Sequence, residues 1–398
     1  MAGFSATVLQ VIPALDAGGA ERTTLEIARA VVEAGGRALV ACRGGRLGAQ
    51  IEAAGARVVP MPVHSKNPLT LWANRARLLD LIRREGVDIV HARSRAPAWS
   101  ALWAARAAGV PFVTTYHGAY RANGPLKRFY NSAMVRGDLV IANSAFTAAV
   151  IRARYDLPPG RLAVIPRGAD LGYFDPAEVS PERVAALRRA WRLPAAGEAF
   201  VLLLPGRLTP WKGHETAIAA LARLVNDPSR RGAGNQPVLR LIFAGDAQGR
   251  DGFEAFLRAE IERRGVRDMI HLVGHCADMP AAYALADVVL APSLRPEAFG
   301  RVAVEAGAMA RPVIAADHGG ARETVLDGET GVLVPPDDPE ALADAIREIA
   351  AMPAPARAAM GARARARVAE NFSTAAMCAA TLDAYRALVA RRAATRPA

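Results

Sequence analysis

Short apolar runs alternate with amphipathic segments along the whole chain. The first run, T-V-L-Q-V-I at residues 7–12, is rich in β-branched residues and predicts a buried strand, followed by a helical pattern to about residue 34. Similar runs recur at the spacing of α/β proteins and predict parallel sheets with helices on both faces. They lie at 38–42, 57–61, 89–94, 112–117, 139–144, 200–205, 238–246, 270–275, 288–293, 312–317 and 331–335.

The pattern occurs twice and predicts two doubly wound, Rossmann-like domains of the α/β class. A chain of 398 residues is also too long for one ordinary core. Between the two sets of runs, a Pro-dotted stretch with a short Arg-rich helix is typical of a connection. We predict a first domain at 1–170, a linker at 171–198, a second domain at 199–372 and a C-terminal helix at 373–398.

The amino-acid composition limits the class of protein to which the chain can belong. Hydrophobic residues make up 52% and charged residues 22%, as in globular proteins. No apolar run reaches the roughly 18 residues of a membrane span, and M-A-G-F-S-A lacks the features of a secretory signal, so we expect a cytoplasmic protein. The three cysteines are widely spaced and predict neither a disulfide framework nor a structural zinc site.

Positive charge is concentrated in the first part of the chain. Residues 1–170 hold 22 Lys or Arg and 11 Asp or Glu, a balance of +11 out of the total of +12. This asymmetry favours an anionic partner such as a membrane surface, a phosphate-bearing lipid or nucleic acid. Arg-rich composition of the source genome is the alternative explanation.

Two glutamates, Glu297 and Glu305, stand eight residues apart where a predicted strand leads into a helix. The first falls in the loop, and the second lies about one turn inside the helix. Backbone N–H groups from Phe299 through Gly300 to Val302 would be unpaired at the helix start and suited to a phosphate or a hydroxyl. A solvated helix with an acidic first turn is the plain alternative.

Further candidate ligand groups follow other predicted strands. Two cations, Arg207 and Lys212, flank a turn and are suited to neutralising a diphosphate. Glycines that let a ligand approach the backbone lie before the first helix and at strand ends: Gly18, Gly19, Gly245 and Gly274. Motifs for a nicotinamide-type dinucleotide, a Walker loop and a D-x-D metal site are absent. No neighbouring carboxylate completes a ligand set with His271, His275 and Cys276, so we predict no metal site.

Polar residues end the strands of the first domain. Carboxyl ends of parallel strands gather ligands, and His91, Arg93, His117 and Asn143 fall there. His117 either donates a hydrogen bond to a sugar hydroxyl or is a structural histidine. The segment 64–86 predicts a basic amphipathic helix with Trp72, which either lies on an anionic bilayer or packs its apolar face on the core.

A second basic cluster follows the His117 loop. Together with Arg93, it favours an anionic acceptor. Its candidate acceptor residues are Arg121, Lys127 and Arg128.

R-P-E-A-F-G-R-V-A-V-E-A-G at 295–307 and G-R-L-T-P-W-K-G at 206–213 resemble glycosyltransferase family 4, and the resemblance runs from Gly18 to Glu305. It implies the GT-B fold, with the two domains facing a cleft and a C-terminal helix crossing back to the first domain. In the family, the first Glu holds hydroxyls of the transferred sugar and the second holds the ribose; the Arg and Lys stabilise the departing diphosphate. The resemblance therefore implies these roles for Glu297, Glu305, Arg207 and Lys212.

The resemblance also implies that His117 contacts the sugar near its 6-position and that Gly18 and Gly19 face the donor diphosphate. Where the family usually has Asn, this chain has Arg167. The implied reaction is a retaining, metal-independent transfer of a hexose from a nucleoside-diphosphate sugar, without a cofactor. No carboxylate is evidently placed as a nucleophile, so the resemblance implies a front-face route.

Charge placement favours an acceptor that is lipid-linked or part of a lipopolysaccharide core, met at the inner face of the cytoplasmic membrane by a peripheral enzyme. A sugar-nucleotide epimerase of the same fold is the alternative within the class. A basic nucleic-acid-binding protein is the alternative outside it, motivated by the isoelectric point of 10.4, but aromatic and basic residues are not interleaved as such proteins require. We therefore expect no nucleic-acid partner.

Overall fold

The computed structural model describes residues 3–16, 18–118, 120, 124–226, 238–247, 249 and 251–395. The chain divides into two compact units. The first unit comprises residues 1–167 and 374–398, and the second comprises residues 168–373.

The described part of the first unit holds a seven-stranded sheet whose pairs are all parallel. The strand order is β3-β2-β1-β4-β5-β6-β7. Because helices cover both faces, the central strands β1, β4, β5 and β6 are buried along their whole length rather than at alternate positions. The strands are β1 (Thr7–Val11), β2 (Arg37–Cys42), β3 (Arg57–Pro60), β4 (Ile89–Ala92), β5 (Phe112–Tyr116), β6 (Leu139–Ala142) and β7 (Leu162–Val164).

Helices of the first unit pack into two apolar clusters, one on each side of the sheet. Asn67 caps α3 by accepting a hydrogen bond from Leu69 N, and Pro68 begins it, as expected at a helix start. The helices are α1 (Gly19–Glu33), α2 (Gly48–Ala53), α3 (Pro68–Arg84), α4 (Arg95–Ala108), α5 (Pro125–Ser132) and α6 (Ala145–Arg152).

The second unit repeats this architecture around a six-stranded parallel sheet of order β10-β9-β8-β11-β12-β13. Its strands are β8 (Ala199–Pro205), β9 (Val238–Ala244), β10 (Ile270–Gly274), β11 (Val288–Ala291), β12 (Val313–Ala316) and β13 (Gly331–Val334). Its helices are α7 (Pro181–Ala190), α8 (His214–Asn226), α9 (Asp251–Arg263), α10 (Met279–Leu285), α11 (Arg301–Ala308), α12 (Ala321–Thr324), α13 (Pro339–Ala351) and α14 (Ala354–Asn371).

The last helix, α15 (Thr374–Thr395), returns to the first unit. Its buried side chains join the cluster that contains α1 and one face of the sheet. The predicted fold class, two Rossmann-like domains with a helix crossing back, is confirmed. Residues 171–198, predicted as a linker, contribute α7 to the second unit, where Arg183 pairs with Asp278 at 2.6 Å.

In each sheet the strand order reverses once. The reversal lies between β1 and β4 in the first unit and between β8 and β11 in the second. Loops on either side of such a point leave a crevice at the carboxyl ends of the strands, where open α/β sheets bind ligands. The loops after β8 and β11 carry the two strongest motifs of the sequence.

Candidate active site

Lys212 and Glu297 form an ion pair in the second unit. Lys212 Nζ lies 2.8 Å from Glu297 Oε1, and the side chains are only 13% and 19% exposed. The Ser293 hydroxyl donates a further hydrogen bond to the same carboxylate oxygen. The structure therefore brings together residues from the β8 and β11 loops that stand 85 positions apart in sequence.

The surroundings of Glu297 determine the charge of its carboxyl group. Burial raises the pKa of the Glu297 carboxyl, but the Lys212 charge and the hydrogen bonds from Lys212 and Ser293 outweigh it, so the pKa lies below its ordinary value. Glu297 is therefore a carboxylate at neutral pH. A carboxylate held this way accepts hydrogen bonds, which suits sugar hydroxyls.

A tight turn places Lys212 beside Glu297. The 3₁₀ turn Pro210–Lys212 follows β8 and ends at Gly213, whose φ is +77°. A Cβ on Gly213 would lie 1.9 Å from Pro292 O, so only glycine lets this turn pack on the β11 loop. Leu294 N donates a hydrogen bond to Trp211 O at 2.8 Å, which holds the β8 and β11 loops together.

Arg207 lies in the same β8 loop but is exposed. Within the described residues it has no ion pair with a carboxylate. A guanidinium is always charged at neutral pH and offers donors in a fork that matches phosphate oxygens. The loop thus presents one exposed cation and one that is held by Glu297.

Glu305 lies on α11 and is held by two side chains. Tyr283 Oη donates to its Oε2 at 2.9 Å, and the Arg301 guanidinium lies 3.1 Å from its Oε1. The Glu305 side chain is 17% exposed. The sequence did not mark Tyr283 or Ser293. Tyr283 lies 22 positions from Glu305, and the fold brings the two together. Ser293 lies only four residues before Glu297, but a single serine after a strand carries no signal of its own.

The start of α11 leaves backbone donors open. Gly300 has φ +82° and precedes the helix, and no described group accepts a hydrogen bond from the backbone N–H of Phe299 or Gly300. Phe299 as a whole residue is 2% exposed, and its ring packs against the Phe372 ring at 5.7 Å. Gly300, which is half-buried, therefore presents the more accessible of the two N–H groups.

The remaining predicted donor-binding glycines lie at strand ends or a helix start. Gly245 follows β9 and forms an isolated antiparallel bridge with Gly274, the last residue of β10. In the first unit, exposed Gly18 precedes α1 and Gly19 is its first residue.

His117 contacts Arg167 in the first unit. The Arg167 guanidinium Nη2 meets His117 Nδ1, and Arg167 is 9% exposed. Burial and the nearby charges of Arg167 and Arg93 hold the pKa of His117 well below its ordinary value. Arg93, at the end of β4, is 3% exposed and donates to Thr115 Oγ1 at 3.4 Å. His117 is thus a neutral imidazole among buried cations.

The predicted basic acceptor residues do not all lie together. Lys127 and Arg128 are exposed on α5, whereas Arg93 is buried at the carboxyl end of the central strand β4. Arg121 lies outside the described residues.

His91, the other strand-end histidine, is buried: Nδ1 lies 2.6 Å from Tyr385 Oη of α15, and Nε2 lies 2.7 Å from Thr115 Oγ1. It is a structural histidine.

The described residues include neither a cluster of metal ligands nor a helix that could span a membrane. No group of three or more His, Cys, Asp or Glu that could hold a metal ion occurs among them. Nor does any described helix have the length and apolarity needed to cross a bilayer.

The two Rossmann-like units, and the pairing of a strand-end carboxylate with a turn lysine in the second, define a GT-B protein. Two family models match the chain: Glycosyltransferase Family 4 over residues 17–173 and Glycosyl transferases group 1 over residues 189–367. The chain belongs to family 4 of the glycosyltransferases.

Curated relatives carry a more specific name. A "D-inositol 3-phosphate glycosyltransferase" of Xylanimonas cellulosilytica is 32% identical, over 95% of this chain and 93% of its own length. A protein of the same name from Kineococcus radiotolerans is 38% identical over 66% of this chain, which spans only 60% of that relative's length.

Solved structures agree on the fold. A glycosyltransferase from Rickettsia africae is 32% identical with a TM-score of 0.87, covering 97% of this chain and 99% of its own. Anabaena Alr3699/HepE in complex with UDP-glucose is 26% identical with a TM-score of 0.79, covering 95% and 99%.

Proposed function

We propose that this protein is a retaining glycosyltransferase that moves a hexose from a nucleoside-diphosphate sugar to a saccharide acceptor. The observation that carries the proposal is the cluster of Lys212, Glu297 and Ser293, with exposed Arg207 on the same loop. This cluster combines cations for a diphosphate with a carboxylate for sugar hydroxyls. Family membership and the UDP-glucose complex of the Anabaena structure support the same donor class.

The chemical demand on such an enzyme is stabilisation of the leaving group. When the bond between the anomeric carbon and the phosphate oxygen breaks, the nucleoside diphosphate gains negative charge. We propose that Arg207 and Lys212 meet that charge in place of a metal ion. Glu297 would hold sugar hydroxyls, Glu305 the ribose, and the open N–H groups at the start of α11 the sugar or phosphate.

The route is a further part of the proposal. Glu297, the carboxylate of the cluster, already accepts hydrogen bonds from Lys212 and Ser293, which suits a binding role more than attack on carbon. We therefore propose a front-face transfer in which the leaving phosphate oxygen takes the proton of the acceptor hydroxyl. The acceptor oxygen then bonds to the anomeric carbon on the face that the phosphate leaves.

The donor is tested by thermal shift of the purified protein with UDP, GDP, ADP, CMP and their sugars, with EDTA and without added metal. We expect one nucleoside diphosphate to raise the unfolding midpoint selectively, because ligand binding to the folded state stabilises it by mass action. Stabilisation that appears only when a divalent metal replaces EDTA would contradict the metal-independent part. No response to any nucleotide would overturn the transferase proposal.

For the acceptor, we propose a lipid-linked or lipopolysaccharide-core saccharide at the cytoplasmic face of the membrane. Two helices of the first unit expose large apolar side chains: Leu69 is 81% and Trp72 64% exposed on α3, and Leu126 is 85% and Phe129 60% exposed on α5. We call these four residues the apolar surface.

Aromatic rings connect the two parts of the apolar surface. Trp72 contacts Trp103, Trp103 contacts Trp99, and Trp99 stacks on Phe129 at 4.9 Å. Lys127 and Arg128 flank the surface on α5. Exposed aromatic and aliphatic side chains beside cations are typical of a surface that enters the headgroup region of an anionic bilayer.

Vesicle sedimentation tests this surface. We expect binding to vesicles with anionic lipid that weakens steeply above about 0.15 M salt, because screening shortens the reach of the cations. The double variant Leu69→Gln/Leu126→Gln should lose binding, whereas Val238→Gln, at a 46% exposed apolar residue of the second unit, should retain it. Salt-indifferent binding, or equal loss in both variants, would contradict a membrane-facing role.

A small phosphorylated acceptor is the second candidate, favoured by the name that the curated relatives share. An enzyme that acts on a soluble inositol phosphate needs no membrane surface. Absence of vesicle binding, together with transfer to inositol phosphate in a radiolabelled-donor assay, would favour this candidate over the lipid-linked acceptor.

A further inference from the structure

Four consecutive strands of the first sheet are followed by nitrogen-bearing side chains that are candidate hydrogen-bond donors. Arg93 follows β4, His117 follows β5, Asn143 follows β6 and Arg167 lies three residues beyond β7. We propose that these four side chains form a binding site for an oxyanion, a carboxylate or phosphate group, carried by one of the two substrates. The inference rests on the proposed transfer reaction and adds a substrate requirement to it.

The contact with Arg167 determines which nitrogen of His117 carries the proton. A guanidinium has only donors, so Arg167 Nη2 donates and His117 Nδ1 must accept. A neutral imidazole that accepts at Nδ1 carries its hydrogen on Nε2. His117 Nε2 is buried, and no described group accepts its hydrogen bond. His117 Nε2 is therefore a fixed donor without an acceptor among the described residues.

Arg93 is a second buried donor. Its side chain is 3% exposed, Nη1 reaches Thr115 Oγ1 at 3.4 Å, and Nε has no acceptor in the described structure. Glu26 is the carboxylate that interacts with Arg93 electrostatically, and it also lies 3.7 Å from Arg22. Glu26 is therefore shared between two cations, Arg22 and Arg93.

Asn143 supplies a third donor beside His117. Its Oδ1 accepts from Thr147 Oγ1 at 2.9 Å, which identifies the other amide atom as the Nδ2 donor. That nitrogen is buried and has no acceptor in the described structure, and the residue is 1% exposed. Tyr116 pairs with Ala142 across β5 and β6, so His117 and Asn143 are the next residues on strands about 4.8 Å apart.

Three buried donors that lack acceptors among the described residues favour a ligand of matching chemistry. An unsatisfied buried polar group destabilises the fold, and a charged one does so more, so such a set is expected where a ligand completes it. A ligand for Arg93, His117 and Asn143 must offer several acceptor oxygens, and the guanidinium of Arg93 favours an anion. A neutral sugar hydroxyl satisfies neither the charge nor the donor count.

Carboxylate and phosphate share this chemistry but come from different substrates. A carboxylate is carried by a hexuronic acid, which would be the transferred sugar of the donor. A phosphate monoester is carried by a phosphorylated saccharide or cyclitol, which would be the acceptor. The experiment below separates the two.

Calorimetric titrations are made on the wild type, Arg93→Gln and the matched charge control Arg46→Gln, whose side chain is exposed on the same unit. The acceptor arm uses glucose 6-phosphate, inositol 1-phosphate and glucose with the protein saturated in nucleoside diphosphate. The donor arm compares UDP-glucuronate with UDP-glucose. We expect one anionic probe to bind more tightly than its neutral counterpart, and Arg93→Gln to weaken that probe roughly 10-fold or more, as loss of a charged hydrogen bond implies.

In the expected result, Arg46→Gln leaves the anionic probe unchanged, and all three proteins bind the nucleoside diphosphate alike. If Arg93→Gln lacks native near-UV circular dichroism, Arg167→Asn takes its place. Equal affinity for anionic and neutral probes in the wild type, or equal affinity of the wild type and both site variants, overturns the oxyanion site. Failure of the wild type to bind any nucleoside diphosphate instead overturns the proposed function.

Discussion

Lys212 and Glu297 are each other's partners in the structure, although the proposed reaction assigns them to different parts of the donor. The pair is largely shielded from water, and removing one member of such a pair leaves an uncompensated charge. Glu297 has its pKa below the ordinary value, so its contribution to stability is present at neutral pH and is lost as the pH falls through that lowered pKa. The ion pair thus prepares both charges before the donor binds.

The variant Lys212→Ala should lower turnover by roughly 100-fold or more, because it removes charge from the position where the leaving diphosphate becomes more negative. The measurement is kcat with the donor that the nucleotide screen identifies. Arg223→Ala is the control, since Arg223 lies in the same unit and is exposed, and its ion-pair partner is the likewise exposed Glu340 at 3.7 Å. Turnover within a few-fold of the wild type in Lys212→Ala would remove Lys212 from the leaving-group role.

At the scale of the element, the conformation of Gly300 sets how α11 begins. Gly300 adopts the left-handed conformation at φ +82°, which turns the chain from the β11 loop into the helix. An L-residue pays roughly 1–2 kcal/mol for that conformation. The same turn sets the direction of the N–H groups of Phe299 and Gly300 that the proposed function assigns to the donor.

Two glycine variants separate strain from function. Gly300→Ala and Gly328→Ala each force alanine into a left-handed conformation, at φ +82° and +74°, and neither new Cβ would meet an atom closer than 3.6 Å. Both should lower stability by roughly 1–2 kcal/mol in denaturant unfolding. Only Gly300→Ala should also raise the KM for the donor. A similar rise in Gly328→Ala would show that strain alone accounts for the effect.

Much of this architecture is readable from sequence because buried parallel strands are continuous apolar runs. The same runs located Lys212, Glu297 and Glu305, which follow β8 or β11 directly. Tyr283 could not be predicted because its contact with Glu305, 22 positions away, is set by the fold. Ser293 is only four residues from Glu297, but the sequence does not show which way a single hydroxyl at the end of a strand will turn. The Pro-dotted stretch at 171–198 was predicted as a linker, yet apolar residues such as Leu187 and Trp191 pack it onto the second unit.

Arg167 shows a different limit to what the sequence can predict. Its presence in place of the usual Asn was visible in the sequence, but its effect was not. Only the contact with His117 Nδ1 shows that it determines the donor nitrogen of a residue 50 positions away.

At the scale of the whole molecule, the first unit is closed by residues from both ends of the described chain. Tyr385 of α15 is fully buried, and its hydroxyl lies 2.6 Å from His91 Nδ1 on β4. Met377, Leu382 and Leu388 of the same helix join the cluster that covers one face of the first sheet. The core of that unit is incomplete without α15.

Two substitutions of Tyr385 should therefore differ. Tyr385→Phe removes the hydrogen bond to His91 and should cost about 1–2 kcal/mol, whereas Tyr385→Ala also leaves a cavity and should cost about 3–5 kcal/mol. The measurement is the free energy of unfolding in denaturant. Nucleoside diphosphate affinity should stay unchanged in Tyr385→Phe, since the proposed donor residues Lys212, Glu297 and Glu305 belong to the second unit. A cost below about 1 kcal/mol for Tyr385→Ala would contradict a structural role for α15.

The discontinuity of the first unit also orders events on the ribosome. Residues 168–373 form a continuous unit and are synthesised between the two parts of the first. Domains generally fold as units during synthesis. The second unit can therefore fold before α15 has been synthesised. Until then α15 does not cover its face of the seven-stranded sheet, where Val8, Leu25 and Ile27 lie. During that interval the nascent chain exposes an apolar surface. Chaperones that bind exposed apolar surface should therefore bind the first unit, which is translated first.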